Sequence, residues 1–264
     1  SDGKSKVTKT SFRFLQTLYN LWASPEPNLT VLRSKALPQG FKDFCSQVSI
    51  DTSSIQYEND ELMRACRKTD DYGIACCVSF QEIGKKIQHF GARCNLAKTL
   101  LVAINGWKEE LDGLQVMDAS LFENPENEDG TLNYEKVVSN FKKAMENMAR
   151  VYAKAMYIIH YMHDKYYYEK AQMAFIDSDY KVDIAYGIAG ISIVLDSLSA
   201  IKYAKVKPIR DERGITTDFE IEGEFPTYGN DDDRVDSMGK EIQQFFLSEL
   251  QKHKAYKNAT PTIS

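Results

Sequence analysis

The sequence predicts an α/β fold with parallel strands. Short apolar or β-branched runs alternate along the chain with longer stretches whose apolar residues recur at helical spacing, the pattern of successive βα units. The 264 residues are 43% hydrophobic and 27% charged, a composition that excludes disorder as the main character. No internal repeat or low-complexity tract interrupts that order.

Taken in order, residues 8–21 (TKTSFRFLQTLYNL) carry Phe12, Leu15, Leu18 and Tyr19 near helical spacing and predict an amphipathic helix. SPEPN at 24–28 ends it, because neither proline can donate a backbone hydrogen bond. Residues 29–32 predict a short strand, the stretch around 41–48 a helix, and 53–59 a strand running into a loop. The apolar run 72–80 (YGIACCVSF) lies between Asp70-Asp71 and Gln81-Glu82 and has the length of a buried strand. Residues 81–105 predict a helix whose apolar face is Ile83, Ile87, Phe90, Leu96, Leu100 and Ile104. An acidic loop follows at 123–130. From Tyr134 to about Phe175 the spacing of Val137, Phe141, Met145, Met148, Tyr152, Ala155 and Ile159 predicts mostly helix. Residues 187–206 predict a buried helix, 218–226 an alternating strand, 228–234 a loop and 234–254 a final amphipathic helix; the last residues turn strand-like.

Charge and compartment bound the function. Lys and Arg total 33 against 38 Asp and Glu, a net charge of −5, so there is no basic excess for a nucleic-acid phosphate surface. No apolar run approaches the ~18 residues of a membrane helix. The first ten residues lack the apolar core of a signal peptide. The cysteines, Cys45, Cys66, Cys76, Cys77 and Cys94, are odd in number, irregularly spaced and without a CxxC pair, which argues against a disulfide framework or a zinc ribbon. A cytoplasmic protein with free thiols is expected, and neither a membrane nor a nucleic acid as its partner.

The adjacent pair Cys76-Cys77 is the sharpest chemical feature. Successive side chains on a regular strand point to opposite faces, so two thiols acting on one substrate require a strand end or a loop tip. From spacing alone the plainer account is two small apolar residues in a core. Arg93 could grip a carboxylate with its bidentate fork; a surface salt bridge is the plainer account. His160 and His163 share a helix face but have no convincing third ligand, so no metal site is assigned. GIAG at 187–190 is too short for a dinucleotide loop, and its glycines are read as permitting close packing. YGNDDDR at 228–234 is read as a solvated loop rather than a cation site.

At IACCVS (74–79) and beyond it the chain resembles the pyruvate formate-lyase (formate acetyltransferase) family of glycyl radical enzymes. The likeness runs through SPEPNLTVL, VSIDTSSIQYEND, DDYGIACCVS, FGARCNLAKTLL, IIHYMHDKY, DSLSAIKYAKVKPIRDE and DFEIEGEFP, in that order. It implies that residues 1–264 are the central portion of one barrel domain, with no separate second domain. That barrel has ten strands, in two five-stranded parallel sheets set antiparallel and surrounded by helices. The resemblance further implies that Cys77 relays the radical and that Cys76 attacks the carbonyl of pyruvate and carries the acetyl group as a thioester. Arg93 would hold the pyruvate carboxylate, and Phe90 would wall the pocket against water. Formate leaves and coenzyme A collects the acetyl group, in anaerobic fermentation of glucose. The glycyl radical belongs to a segment of the RVSGYA type, which this sequence does not contain. An activating enzyme using S-adenosylmethionine and an iron–sulfur cluster installs it. A homodimer in the cytoplasm is expected, with no metal or cofactor bound by this chain, and the isolated chain is expected to be inactive without the radical segment.

The chain also departs from the family pattern. Trp22 and Trp107 stand where glycine is usual, Arg33 where tryptophan is usual, and Phe80 where proline follows CCVS. A glycine site of positive φ accepts tryptophan only with backbone strain. These departures motivate an alternative, a truncated or diverged relative that serves as a non-catalytic structural or interaction subunit.

Overall fold

The computed structural model describes residues 6–21, 29–75, 79–166 and 178–263. Contacts gather the chain into two units, one drawn from residues 1–88 and 175–181, the other from 89–174 and 182–264.

In the first unit, helix α1 (Lys9–Leu21) buries Leu15 and Leu18, and α2 (Gln39–Thr52) buries Phe41, Cys45 and Val48. Three- and four-residue spacing places each set on one helical face, and the two faces close one core. Phe12 meets Phe41 edge to face at 5.3 Å. Strands β1 (Leu29–Arg33) and β2 (Ile55–Asn59) pair in parallel, Leu29 opposite Ile55 and Arg33 opposite Asn59. Helix α2 is the crossover that joins them, completing a βαβ unit. Helix α3 (Asp60–Arg67) follows at once; Asn59 Oδ1 accepts the Leu62 N–H at 3.0 Å, acids occupy its first turn and arginines its last. It buries no residue, so apolar periodicity did not mark it.

Two expectations fail in the next stretch. Residues 72–80 do not form one strand: β3 (Tyr72–Ala75) and β4 (Ser79–Glu82) are antiparallel, with Tyr72 opposite Glu82 and Ala75 opposite Ser79. The run reads as continuous because no polar turn residue interrupts its apolar composition. Residues 81–105 are not one helix either. After β4 the chain turns at Gly84 (φ 76°), forms β5 (Lys86–His89) and β6 (Arg93–Asn95), and only then α4 (Leu96–Ile104). Between the two strands Gly91 passes close to a later helix: a Cβ on it would stand 3.1 Å from Ile159 Cγ2. The repeating isoleucines and leucines imitated a helical stripe across a turn and two strands.

The second unit is built on β7 (Lys181–Ala189), which is buried without interruption from Asp183 to Gly187, as a parallel strand covered on both faces should be. β10 (Thr260–Ile263) pairs with it in parallel, Thr260 opposite Asp183, and β6 does likewise, Arg93 opposite Gly187. Helix α5 (Tyr134–Lys165) buries Val137, Phe141, Met145, Tyr152 and Met156 and packs against α4, α6 (Ile191–Tyr203) and α7 (Asp233–Gln251). The expected helix 187–206 is therefore the end of β7, then α6, then the start of β8 (Lys205–Arg210). The break falls at Gly190, whose φ of 80° suits glycine and whose missing Cβ avoids a 2.9 Å approach to Ala97 Cβ. β8 forms an antiparallel hairpin with β9 (Thr216–Glu222). The acidic loop at 123–130 is fastened rather than free, since Arg210 Nη2 donates to Glu126 Oε1 at 2.8 Å. The exposed loop before α7 ends in Asp232, which caps that helix by accepting the Arg234 N–H at 3.0 Å.

Trp107 follows α4 with φ 64° and is fully buried, edge-on to Phe122 at 5.5 Å. The strain expected at a glycine-type position is thus present, and burial of the indole opposes it; Trp22 lies outside the described residues. Left-handed backbone costs a bulky residue ~1–2 kcal/mol, while emptying a buried Trp site costs ~3–5 kcal/mol. Trp107→Gly is therefore expected to lower stability by about 2 kcal/mol in chemical denaturation. A variant more stable than the parent would show that strain outweighs burial.

Candidate functional site

Cys76 and Cys77, with Val78, lie outside the described residues. The strands on either side of them are described. Tyr72 and Phe80 are buried and stack at 4.9 Å across the β3–β4 pair, a diagonal cross-strand contact. Tyr72 Oη donates to Asp60 Oδ1 at 2.7 Å, and burial first, then that carboxylate, push the phenol well above its ordinary range. The Arg67 guanidinium sits 5.2 Å over the Phe80 ring. Helix α3 thus holds both strands through side chains at its start and end. Sequence reading missed Asp60, Arg67 and Tyr72 as supports, because α3 carries no apolar stripe to announce a packed helix.

Arg93 and Phe90 belong to the second unit, and the structure brings them together. Arg93 lies on β6, not on the helix expected for it, and Phe90 precedes that strand; both are exposed. The Arg93 guanidinium stands 5.2 Å over the Phe90 ring. A planar cation held against an aromatic face keeps its outer edge free to fork onto a carboxylate. Cys94 between the two strands' register points inward and is buried.

His160 is buried on α5 and stacks on His89 at 4.4 Å, with His163 edge-on to it at 5.7 Å. Among the described residues no group of three or more His, Cys, Asp or Glu is placed to hold a metal ion. No helix among them is long and apolar enough to cross a membrane.

Burial pushes the Cys94 thiol up to about 11, against a smaller opposing effect of its hydrogen bond with Thr99. Since the thiolate is the nucleophile, Cys94 is expected to resist alkylation at pH 8 until the protein is unfolded, whereas exposed Cys66 is modified in the folded state. Peptide mass spectrometry reads this directly, and early labelling of Cys94 would contradict the packing of β6.

The profile of the family described as pyruvate formate lyase-like matches residues 1–264. Formate acetyltransferase 1 of Escherichia coli (strain K12) is 54% identical over 263 residues, covering 100% of this chain and 34% of that protein. The chain thus spans about a third of the length of this relative. Among solved structures, a glycyl radical enzyme from Archaeoglobus fulgidus superposes with a TM-score of 0.70 at 16% identity, over 98% of this chain and 36% of that one. The B12-independent glycerol dehydratase from Clostridium butyricum gives 0.69 at 21% identity, over 99% and 37%. At these identities the two structures show a shared α/β fold.

Proposed function

The chain belongs to the pyruvate formate lyase-like family, and from that premise we propose that it is the segment of a formate C-acetyltransferase that carries the acetyl group and grips pyruvate. The observation that carries this reading is 54% identity to a formate acetyltransferase along the whole chain. It supports the catalytic segment over a diverged interaction subunit.

In this reading Arg93 binds the pyruvate carboxylate through two charge-assisted hydrogen bonds, and Phe90 walls the pocket so that no water reaches the reacting carbon. A glycyl radical outside this segment supplies the hydrogen-atom abstraction. Cys77 gives up its thiol hydrogen atom and recovers one from Cys76, leaving the unpaired electron on the Cys76 sulfur. That sulfur bonds to the carbonyl carbon of pyruvate; the carbon–carbon bond breaks, and the acetyl group stays on Cys76 as a thioester. The departing carboxyl fragment takes the odd electron with it and becomes formate by taking the thiol hydrogen atom that Cys77 had recovered, which returns the unpaired electron to the Cys77 sulfur and from there to the glycine. The coenzyme A thiol then displaces Cys76 from the acetyl carbon.

The flanking strands β3 and β4 pair antiparallel, with Ala75 opposite Ser79; Cys76 and Cys77 themselves lie outside the described residues, and their roles rest on the family. We further place the segment within a ten-stranded barrel domain of a cytoplasmic homodimer, with a radical-installing enzyme that uses S-adenosylmethionine as its partner. The test is the full-length enzyme, activated without oxygen and given pyruvate and coenzyme A. Stoichiometric formate and acetyl-CoA are expected; failure to form either from pyruvate would overturn the assignment.

A further inference from the structure

The packing beneath Arg93 points to a second layer of the pocket: we propose that Gly187 on β7, together with Tyr152 on α5, positions Arg93 and Phe90 for the carboxylate of the substrate. The inference rests on the reading of Arg93 and Phe90 as pyruvate-binding residues and adds to it the residues that set them.

Gly187 lies opposite Arg93 in the parallel β6–β7 register. A Cβ built on it would stand 2.8 Å from Arg93 Cγ, 3.1 Å from Phe90 Cε2 and 3.2 Å from the Ala92 carbonyl oxygen. These obstacles are the root of one side chain, the edge of a stiff ring and a piece of backbone, so no single rotamer change relieves them all. Gly187 is not among the residues of positive φ, so backbone conformation does not call for glycine here. Space does. The Arg93 stem and the Phe90 ring both rest on the bare Cα, and this shared floor brings the guanidinium over the ring.

Tyr152 closes the arrangement from below. Its buried hydroxyl lies 2.5 Å from the Ala92 carbonyl oxygen and 3.0 Å from that of Gly187, so its single proton is shared between the residue just before Arg93 and the residue opposite it. Its ring meets Tyr186 edge-on at 5.0 Å, so the hydroxyl is held in place. Burial raises the phenol above its ordinary range, and it stays a donor across the physiological pH range.

The test is steady-state kinetics of the activated full-length enzyme. Gly187→Ala is expected to raise the KM for pyruvate about tenfold while leaving the KM for coenzyme A within about twofold. Tyr152→Phe, which removes one oxygen, is expected to raise the pyruvate KM by a smaller factor. In an Arg93→Ala background Gly187→Ala should add only a minor further rise, through Phe90, because the charged group it positions is gone. A purely structural role would lower the active fraction, and so kcat, with both KM values unchanged; that result overturns the proposal, as does a full additive rise in the Arg93→Ala background. If Gly187→Ala does not fold, Tyr152→Phe decides on the same KM split. An unchanged pyruvate KM in Arg93→Ala would instead overturn the underlying pocket assignment, whereas a raised KM there with none in Gly187→Ala overturns only the positioning role.

Discussion

Cys76→Ser in the full-length enzyme is expected to reduce formate and acetyl-CoA production by at least about a thousandfold. Serine keeps the size of the side chain and its capacity to hydrogen bond, so a purely structural role for this position would survive the change. It removes two chemical properties at once. The O–H bond is much stronger than S–H, so the hydrogen atom would no longer be abstracted, and an ester would replace the proposed thioester from which coenzyme A collects acetyl. Protein yield and thermal melting should match the parent. Residual activity within tenfold of the parent would mean that the acetyl group travels on another residue.

Arg93→Ala is the second large effect. A charged, bidentate hydrogen-bonded pair contributes ~1.5–3 kcal/mol, which corresponds to a rise of roughly 10- to 150-fold in the KM for pyruvate. Coenzyme A does not use this contact in the proposed pocket, so its KM should not move. Arg93→Lys is expected to recover only part of the loss, because an ammonium cannot fork onto both carboxylate oxygens or lie flat on the Phe90 ring as guanidinium does. Equal pyruvate affinity in Arg93→Ala would remove Arg93 from the site.

The parts of the fold legible in the sequence are those where one physical signal acts alone. Helix α1 with its Leu15–Leu18 face, the long stripe of α5, and strands β1 and β2 all follow from spacing and from the prolines between them. The failures occur where two signals overlap. Residues 72–80 form one apolar run, so composition concealed that its two ends, β3 and β4, are separate antiparallel strands. Residues 81–105 repeat isoleucine, phenylalanine and leucine at near-helical spacing, but the chain turns at Gly84 and forms two strands before α4 begins. Gly187 and Gly190 were read as close-packing glycines, and each does stand where a Cβ would collide with a neighbour. That β6 lies alongside β7, and so what those glycines pack against, depends on contacts between residues about a hundred positions apart, which local periodicity does not encode. For the same reason Tyr152 read as one more core residue of a helical stripe rather than the donor between two strands.

Carriage of the acetyl group on Cys76 is open to direct observation. The most direct measurement is rapid acid quench of the activated full-length enzyme turning over with carbon-13-labelled pyruvate in the absence of coenzyme A, followed by peptide mass spectrometry. A labelled acetyl thioester is expected on Cys76 and should disappear when coenzyme A is added before the quench. Labelled acetyl on another residue, or none on the peptide containing Cys76 while formate is formed, would contradict it.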